Sequence, residues 1–395
     1  METADFFEPI NPDCFPVKES RHPLILSRFV KAYRQGEAFP SLDEVDIAIL
    51  GVKEDRNAPS NEGCALAPDY VRKYLYQLFQ GPFKTRIADL GNIAAGDSVN
   101  DTYFAVKTVI AQLLEKNITP VIIGGGQDIT YANYTAYESL GQIINVAAVD
   151  ARFDIGLKKE EPLHHQNYLN TILTRKPNYM FNFANIGYQG YFVDQDAIEL
   201  MDKLYFDIYR LGWVRNNMEE VEPIVRNADL MSFDVSAIRQ SDAPGNTNAS
   251  PNGFYGEEAC QIVRYAGLSD KLSSIGFYEL NPAFDMGNQT AHLVAQMVWY
   301  FIDGYYHRKN DYPDKQIKDS SAFIKYVVTI REFQNKIQFY KSKRSDRWWM
   351  EVPCPPSLQR KYERQFLVPC SYHDYQEACR NEIPDKWWQV YQKFV

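Results

Sequence analysis

Three short stretches carry the side chains best suited to chemistry. Asp150-Ala151-Arg152-Phe153-Asp154 flanks a guanidinium with two carboxylates. Asp234-Val235-Ser236 pairs a carboxylate with a nearby hydroxyl, and Gln127-Asp128 sets an amide beside another carboxylate. Carboxylates are acceptors when ionised, amides and hydroxyls offer oxygen lone pairs, and arginine offers donors only and stays charged. Such a set can bind or neutralise charge wherever the chain brings its members together.

The elements that must position them are strands. Ile118–Ile123 is a buried apolar run rich in β-branched residues, and it ends in Gly124-Gly125-Gly126 just before Gln127. That composition and punctuation favour a strand over a buried helix. Ile144–Val149 delivers Asp150 in the same way, and Leu230–Phe233 delivers Asp234. Ligand chemistry in open parallel sheets gathers beyond the carboxyl ends of strands. Further strands are predicted at 45–51, 87–90, 180–186, 203–209 and 273–278. Helices are predicted near 68–75, 103–115, 256–265 and 290–305, with a short one near 24–33. Strands alternating with helices imply right-handed crossovers and a sheet covered on both faces.

With 395 residues, 45% hydrophobic and 24% charged, the chain has the composition of a soluble globular protein. The spacing divides it into an N-terminal segment (1–44), an α/β domain (45–310) and an extension of mixed strands and helix (311–395). Within the extension, strands are predicted at 323–330, 336–340 and 347–352, with a charged turn at 341–346. A final helix over 375–394 is interrupted at Pro384. A net charge of −9 argues against sequence-independent nucleic-acid binding. No stretch is long and apolar enough to span a bilayer. The first residues lack a signal peptide's features, and six cysteines show no metal or redox spacing, so a cytoplasmic protein with reduced thiols is expected.

The three tips resemble the metal-binding signatures of the arginase/agmatinase/formimidoylglutamase (ureohydrolase) family. The resemblance runs from about Val45 to Tyr305. It includes Gly63, Pro68 and Arg72, with Ala67 where the family has a second glycine, and Asp89-Leu90-Gly91. Its longest part is Ser232-Phe233-Asp234-Val235, then Ala243-Pro244-Gly245, Pro251-Asn252-Gly253-Phe254 and Glu258. Glu279-Leu280-Asn281-Pro282 matches an E-x-N-P segment, and the triple glycine is closest to the formimidoylglutamase form, G-G-G-H-E. The resemblance implies a three-layer arginase-like fold with a parallel sheet flanked by helices.

It also implies a site in which two manganese ions, held by two His and four Asp, activate a hydroxide. At those positions this chain has Gln127 and Arg152 for the histidines, Ser236 for one aspartate, and Asp150, Asp154 and Asp234. Gln127, Asp150, Asp154 and Asp234 are an all-oxygen set suited to one hard cation, Mn2+, Mg2+ or Ca2+. The alternative is a residual carboxylate cluster neutralised by Arg152, whose guanidinium is expected among the aspartates. A two-manganese cluster is not expected. His164 fits the family's substrate-loop histidine better than His165, and Glu279 its contact to a substrate cation. A loop histidine without a chemical role and a strand-end salt bridge are the competing readings.

Two functions follow. The first is a catalytically degenerate family member that acts by binding, as a scaffold, regulator or small-molecule sensor, and is not an enzyme. The alternative is a hydrolase of a C–N bond in a linear amidine or guanidino compound, with one metal or an altered site. The pairs Trp348-Trp349 and Trp387-Trp388 serve either as a surface for a protein partner or self-association, or to pin the extension to the main domain.

Overall fold

Runs of β-branched and small apolar residues build the strands that carry the three tips. The computed structural model describes residues 3–16, 22–156, 161–313, 321–330 and 335–395. Its main sheet comprises β1 (Phe7–Glu8), β2 (Val30–Ala32), β3 (Ile47–Val52), β4 (Ile87–Ile93), β5 (Thr119–Ile123), β6 (Ile144–Val149), β7 (Met180–Tyr188), β8 (Asp207–Arg210), β9 (Leu230–Asp234) and β10 (Ser274–Tyr278). The spatial order is β1-β4-β3-β5-β10-β9-β6-β7-β8, with β2 also paired to β4. Only β1 runs antiparallel to its neighbour. This is an α/β fold built on a mostly parallel sheet with helices on both faces.

β5 and β6 follow one another in sequence, yet β10 and β9 lie between them in the sheet. The order therefore reverses there, which opens a crevice at the carboxyl ends of four adjacent strands. The register brings those ends level: Phe277 pairs with Ile123, Tyr278 with Asp234 and Val149 with Phe233. All four strands are buried along their length, as a sheet covered by helices on both faces requires.

The helices Ala67–Leu75, Met218–Arg226, Gly256–Leu268 and Gln289–Tyr306 pack on one face, around Val121, Phe233 and Ile275. Val99–Glu115 and Ile129–Ser139 cover Leu50, Leu90 and Ile122 on the other. Gly256–Leu268 and Gln289–Tyr306 cross at facing glycines. A Cβ on Gly267 would lie 2.3 Å from the Phe301 carbonyl oxygen, and one on Gly304 would lie 2.4 Å from that of Arg264. Any side chain there would force the helices apart. Among the described residues no helix is long and apolar enough to cross a membrane.

Two local expectations differ from the structure. Residues 24–33 form a short 3-10 turn, Leu26–Arg28, followed by β2, because Val30 and Lys31 pair with the edge of β4. The segment predicted as a strand at 203–209 begins as the end of helix Gln195–Lys203. Tyr205 turns the chain at φ +54° before β8 starts at Asp207.

The extension is a four-stranded antiparallel sheet, β11 (Phe323–Ile330), β12 (Asn335–Ser342), β13 (Trp348–Glu351) and β14 (Leu367–Cys370), paired in sequence order. Helices Tyr372–Cys379 and Asp385–Gln392 follow, with Pro384 immediately before the second. Trp349 and Trp387 are buried. The extension packs on the amino-terminal side of the main sheet, away from the crevice. The Arg226 guanidinium lies 4.4 Å from the Trp349 ring centre and donates to the carbonyl oxygens of Trp348 and Cys370 at 3.2 and 3.4 Å. Phe181 of β7 packs against Tyr362 and Phe394.

Candidate functional site

Each tip is shaped locally before the four meet. After β5 the chain turns through Gly124 and Gly125 at φ +93° and +75°. A Cβ on Gly125 would lie 2.5 Å from the Glu54 carbonyl oxygen, so glycine is required there. The turn buries Gln127, whose backbone N–H donates to Glu279 Oε1 at 2.7 Å. Its side-chain amide is oriented by its neighbours. One end of the amide lies 2.9 Å from Asp154 Oδ2 and 3.3 Å from Asp150 Oδ2, where its nitrogen would donate and its oxygen would ligate a cation, and the other end meets Ser232 at 3.2 Å.

Past β6, Asp150 Oδ1 accepts the backbone N–H of Arg152 at 2.7 Å. Past β9, Asp234 accepts both the backbone N–H of Ser236 at 2.7 Å and its hydroxyl at 2.6 Å. Past β10, Glu279 Oε2 accepts from Asn61 at 2.8 Å and meets His165 Nδ1 at 2.9 Å. Asp154 and Glu279 both sit at left-handed φ, +50° and +69°. That region is uncommon for residues with a side chain and is tolerated where the surroundings over-determine it, often at functional sites.

Electrostatics follow from burial. Asp150, Asp154, Asp234 and Glu279 are all buried, and among the described residues no lysine or arginine forms an ion pair with any of them. Burial raises the carboxyl pKa of Asp150, Asp154 and Asp234, and the charge of Asp150 raises the latter two further. Burial alone would lower His165, but its hydrogen bond to Glu279 and the carboxylate's charge prevail and raise it. Asp128 is pushed up to about 7 by burial, against a 2.5 Å hydrogen bond from the Tyr103 hydroxyl. Among the described residues, His165 Nε2 and Asp128 Oδ1 are buried without a hydrogen-bond partner.

A cavity of about 350 Å³ opens beside the tips, with Arg152, Asp154, His164, Gln166 and Phe192 in its lining. The structure corrects the expected position of Arg152. Its guanidinium stacks 4.4 Å from the Phe192 ring centre, and among the described residues it makes no side-chain bond to Asp150, Asp154 or Asp234. Attraction to a polarisable ring near solvent costs less than burial among carboxylates. His164 sits 3.5 Å from Glu161, so the histidine on Glu279 is His165. The site also includes Asn61 and Tyr103, whose positions the sequence did not single out, and Ser232, which the sequence marked only as part of a motif.

Residues 45–303 match the model of the arginase family. A formimidoylglutamase from Staphylococcus haemolyticus is 24% identical over 276 residues, covering 66% of this chain and 86% of the relative. One from Staphylococcus aureus is 26% identical over 268 residues, covering 65% and 85%. Among solved structures, Trypanosoma cruzi formiminoglutamase with Mn2+2 superposes with a TM-score of 0.62 at 20% identity, over 68% of this chain and 97% of that one. Bacillus subtilis formimidoylglutamase gives 0.65 at 18%, over 75% and 95%.

These findings correct two expectations. The relatives carry the name of an enzyme, which overturns the expectation of a non-enzyme and favours the hydrolase alternative. The Trypanosoma structure holds Mn2+2, which overturns the expectation of no metal or a single Mn2+, Mg2+ or Ca2+ on this fold. This chain's side chains do not match a two-manganese ligand set of two His and four Asp. Arg152 is turned to the cavity, and the Ser236 hydroxyl is taken up by Asp234. The chemistry below is therefore assigned to the chain's own residues. With the family match spanning residues 45–303, well over half of its length, the chain belongs to the arginase family.

Proposed function

We propose that this protein hydrolyses a C–N bond of a linear amidine or guanidino compound, of the formimidoylglutamate type. One observation carries the reading. Three neighbouring strand tips, those of β6, β9 and β10, gather Asp150, Asp154, Asp234 and Glu279 into a buried group with no lysine or arginine ion-paired to it among the described residues. Unbalanced buried carboxylates are costly. A planar amidinium supplies both the missing charge and the N–H donors such a group accepts. The names of the relatives support the same chemistry.

In the reaction, water adds to the amidine carbon and one C–N bond breaks. An amidinium R–NH–CH=NH2+ and water give R–NH3+ and formamide. The aspartates hold and orient the cation, and the adjoining cavity admits the rest of the molecule. The His165–Glu279 pair lies where it can carry the water's proton to the departing nitrogen. Glu279 fixes Nδ1, which leaves Nε2 as the exchanging atom. Six unpaired cysteines fit a reducing, cytoplasmic setting.

The test is formamide release from formimidoylglutamate, followed by NMR with Mn2+ in the buffer. Formamide and glutamate should appear in equal amounts, and Glu279→Gln should slow release by about 100-fold or more. No product from formimidoylglutamate, agmatine or arginine would overturn the reading.

A further inference from the structure

The Arg152 guanidinium lines the cavity half-buried, stacked on Phe192. Among the described residues it forms no salt bridge, although its charge acts on Asp150 and three acidic side chains line the same space. Two of the three are engaged elsewhere. Glu161 lies 3.5 Å from His164, and Asp194 caps helix Gln195–Lys203 by accepting the backbone N–H of Asp196 at 2.8 Å. The third, Asp154, faces the Gln127 amide at 2.9 Å. An arginine held by its face on a ring keeps its N–H edge free. That edge matches the two oxygens of a carboxylate.

We infer that Arg152 is the specificity-determining residue of this cavity and binds the carboxylate of a zwitterionic substrate whose amidinium end lies at the aspartates. The inference rests on the hydrolase reading for the cationic end and adds the anionic one. Arg152 and Asp154 stand two residues apart on one loop and line the same cavity, so a small amino-acid derivative reaches both. The guanidinium edge takes one carboxylate of such a substrate through two parallel N–H bonds.

The test compares two probes that differ only at the anionic end, 4-guanidinobutyrate and 1-butylguanidine, titrated calorimetrically into the full-length protein. The wild type should bind 4-guanidinobutyrate about tenfold more tightly. Arg152→Gln should abolish that preference, and Arg152→Lys, which keeps the charge but not the fork, should retain part of it. Equal affinities in the wild type, a preference untouched in Arg152→Gln, or no binding of either probe would overturn the inference. Tighter binding of inorganic phosphate than of 4-guanidinobutyrate would overturn the carboxylate assignment. The two proposals fail separately. Formamide release without a carboxylate preference removes this inference alone. An Arg152-dependent preference without formamide release keeps the anion site and removes the hydrolase.

Discussion

β9 carries a buried aspartate at each end, and the two meet opposite surroundings. Asp229, just before the strand, receives Arg364 at 2.6 Å, the backbone N–H of Asn145 at 2.9 Å, and Lys271 at 3.7 Å. Asp234, at the other end, receives a serine hydroxyl and a backbone N–H and sits among further carboxylates. The extension makes the difference: Arg364 belongs to it, and Lys271 also donates to the Arg364 carbonyl and to Gln365 at 3.3 and 3.2 Å. At the amino-terminal end the fold neutralises its buried charge with its own residues. At the carboxyl-terminal end it leaves the charge for something else to meet. Groups perturbed in this way cluster at functional sites.

The comparison can be broken at either end. The largest effect is expected at the neutralised one. Asp229→Ala leaves Lys271 buried without a counter-charge and should destabilise the fold by on the order of 3–5 kcal/mol in urea unfolding. Next in size is Asp154→Asn at the other end. It removes one of several repelling carboxyls, so stability should hold or rise, while formamide release falls about 100-fold, equivalent to about 2.7 kcal/mol. A variant there that loses stability as Asp229→Ala does would erase the contrast between the two ends.

The smallest effect is a pH dependence. Burial lowers Lys271 to about 8, whereas in the unfolded chain it titrates near the ordinary value of about 10.4. Between those values the unfolded state holds a proton that the folded state has released. Stability should therefore rise with pH across that window, by on the order of 1 kcal/mol per unit. Lys271→Met should flatten this rise when the two proteins are compared by urea unfolding from pH 8 to 10.

Much of this was legible in the chain itself, for physical reasons. Apolar runs ending in glycine or aspartate announce buried parallel strands, and the tips at Gln127, Asp150, Asp234 and Glu279 lie on adjacent strands. What was not legible depends on partners distant in sequence. The spacing of Arg152 from Asp150 says nothing of Phe192, which comes from the loop after β7 and draws the guanidinium away. His164 and His165 are neighbours, and only the fold decides which one faces Glu279. β14 was missed because Pro369 interrupts a short apolar run, and its place at the edge of the extension's sheet tolerates the missing N–H. The activity is hidden in the sequence because altered residue types at the tips read as loss of function, and the enzymes among the relatives correct that.

The central claim is that the unbalanced carboxylates at the strand tips receive an amidinium. Calorimetric titration of acetamidinium chloride into the wild type and Asp154→Asn tests it most directly, because this cation has no other group for the cavity to grip. The account predicts saturable binding by the wild type and at least about tenfold weaker binding by a variant that unfolds at the same or higher urea concentration. Equal affinity in both proteins, or no binding by the wild type, would contradict it.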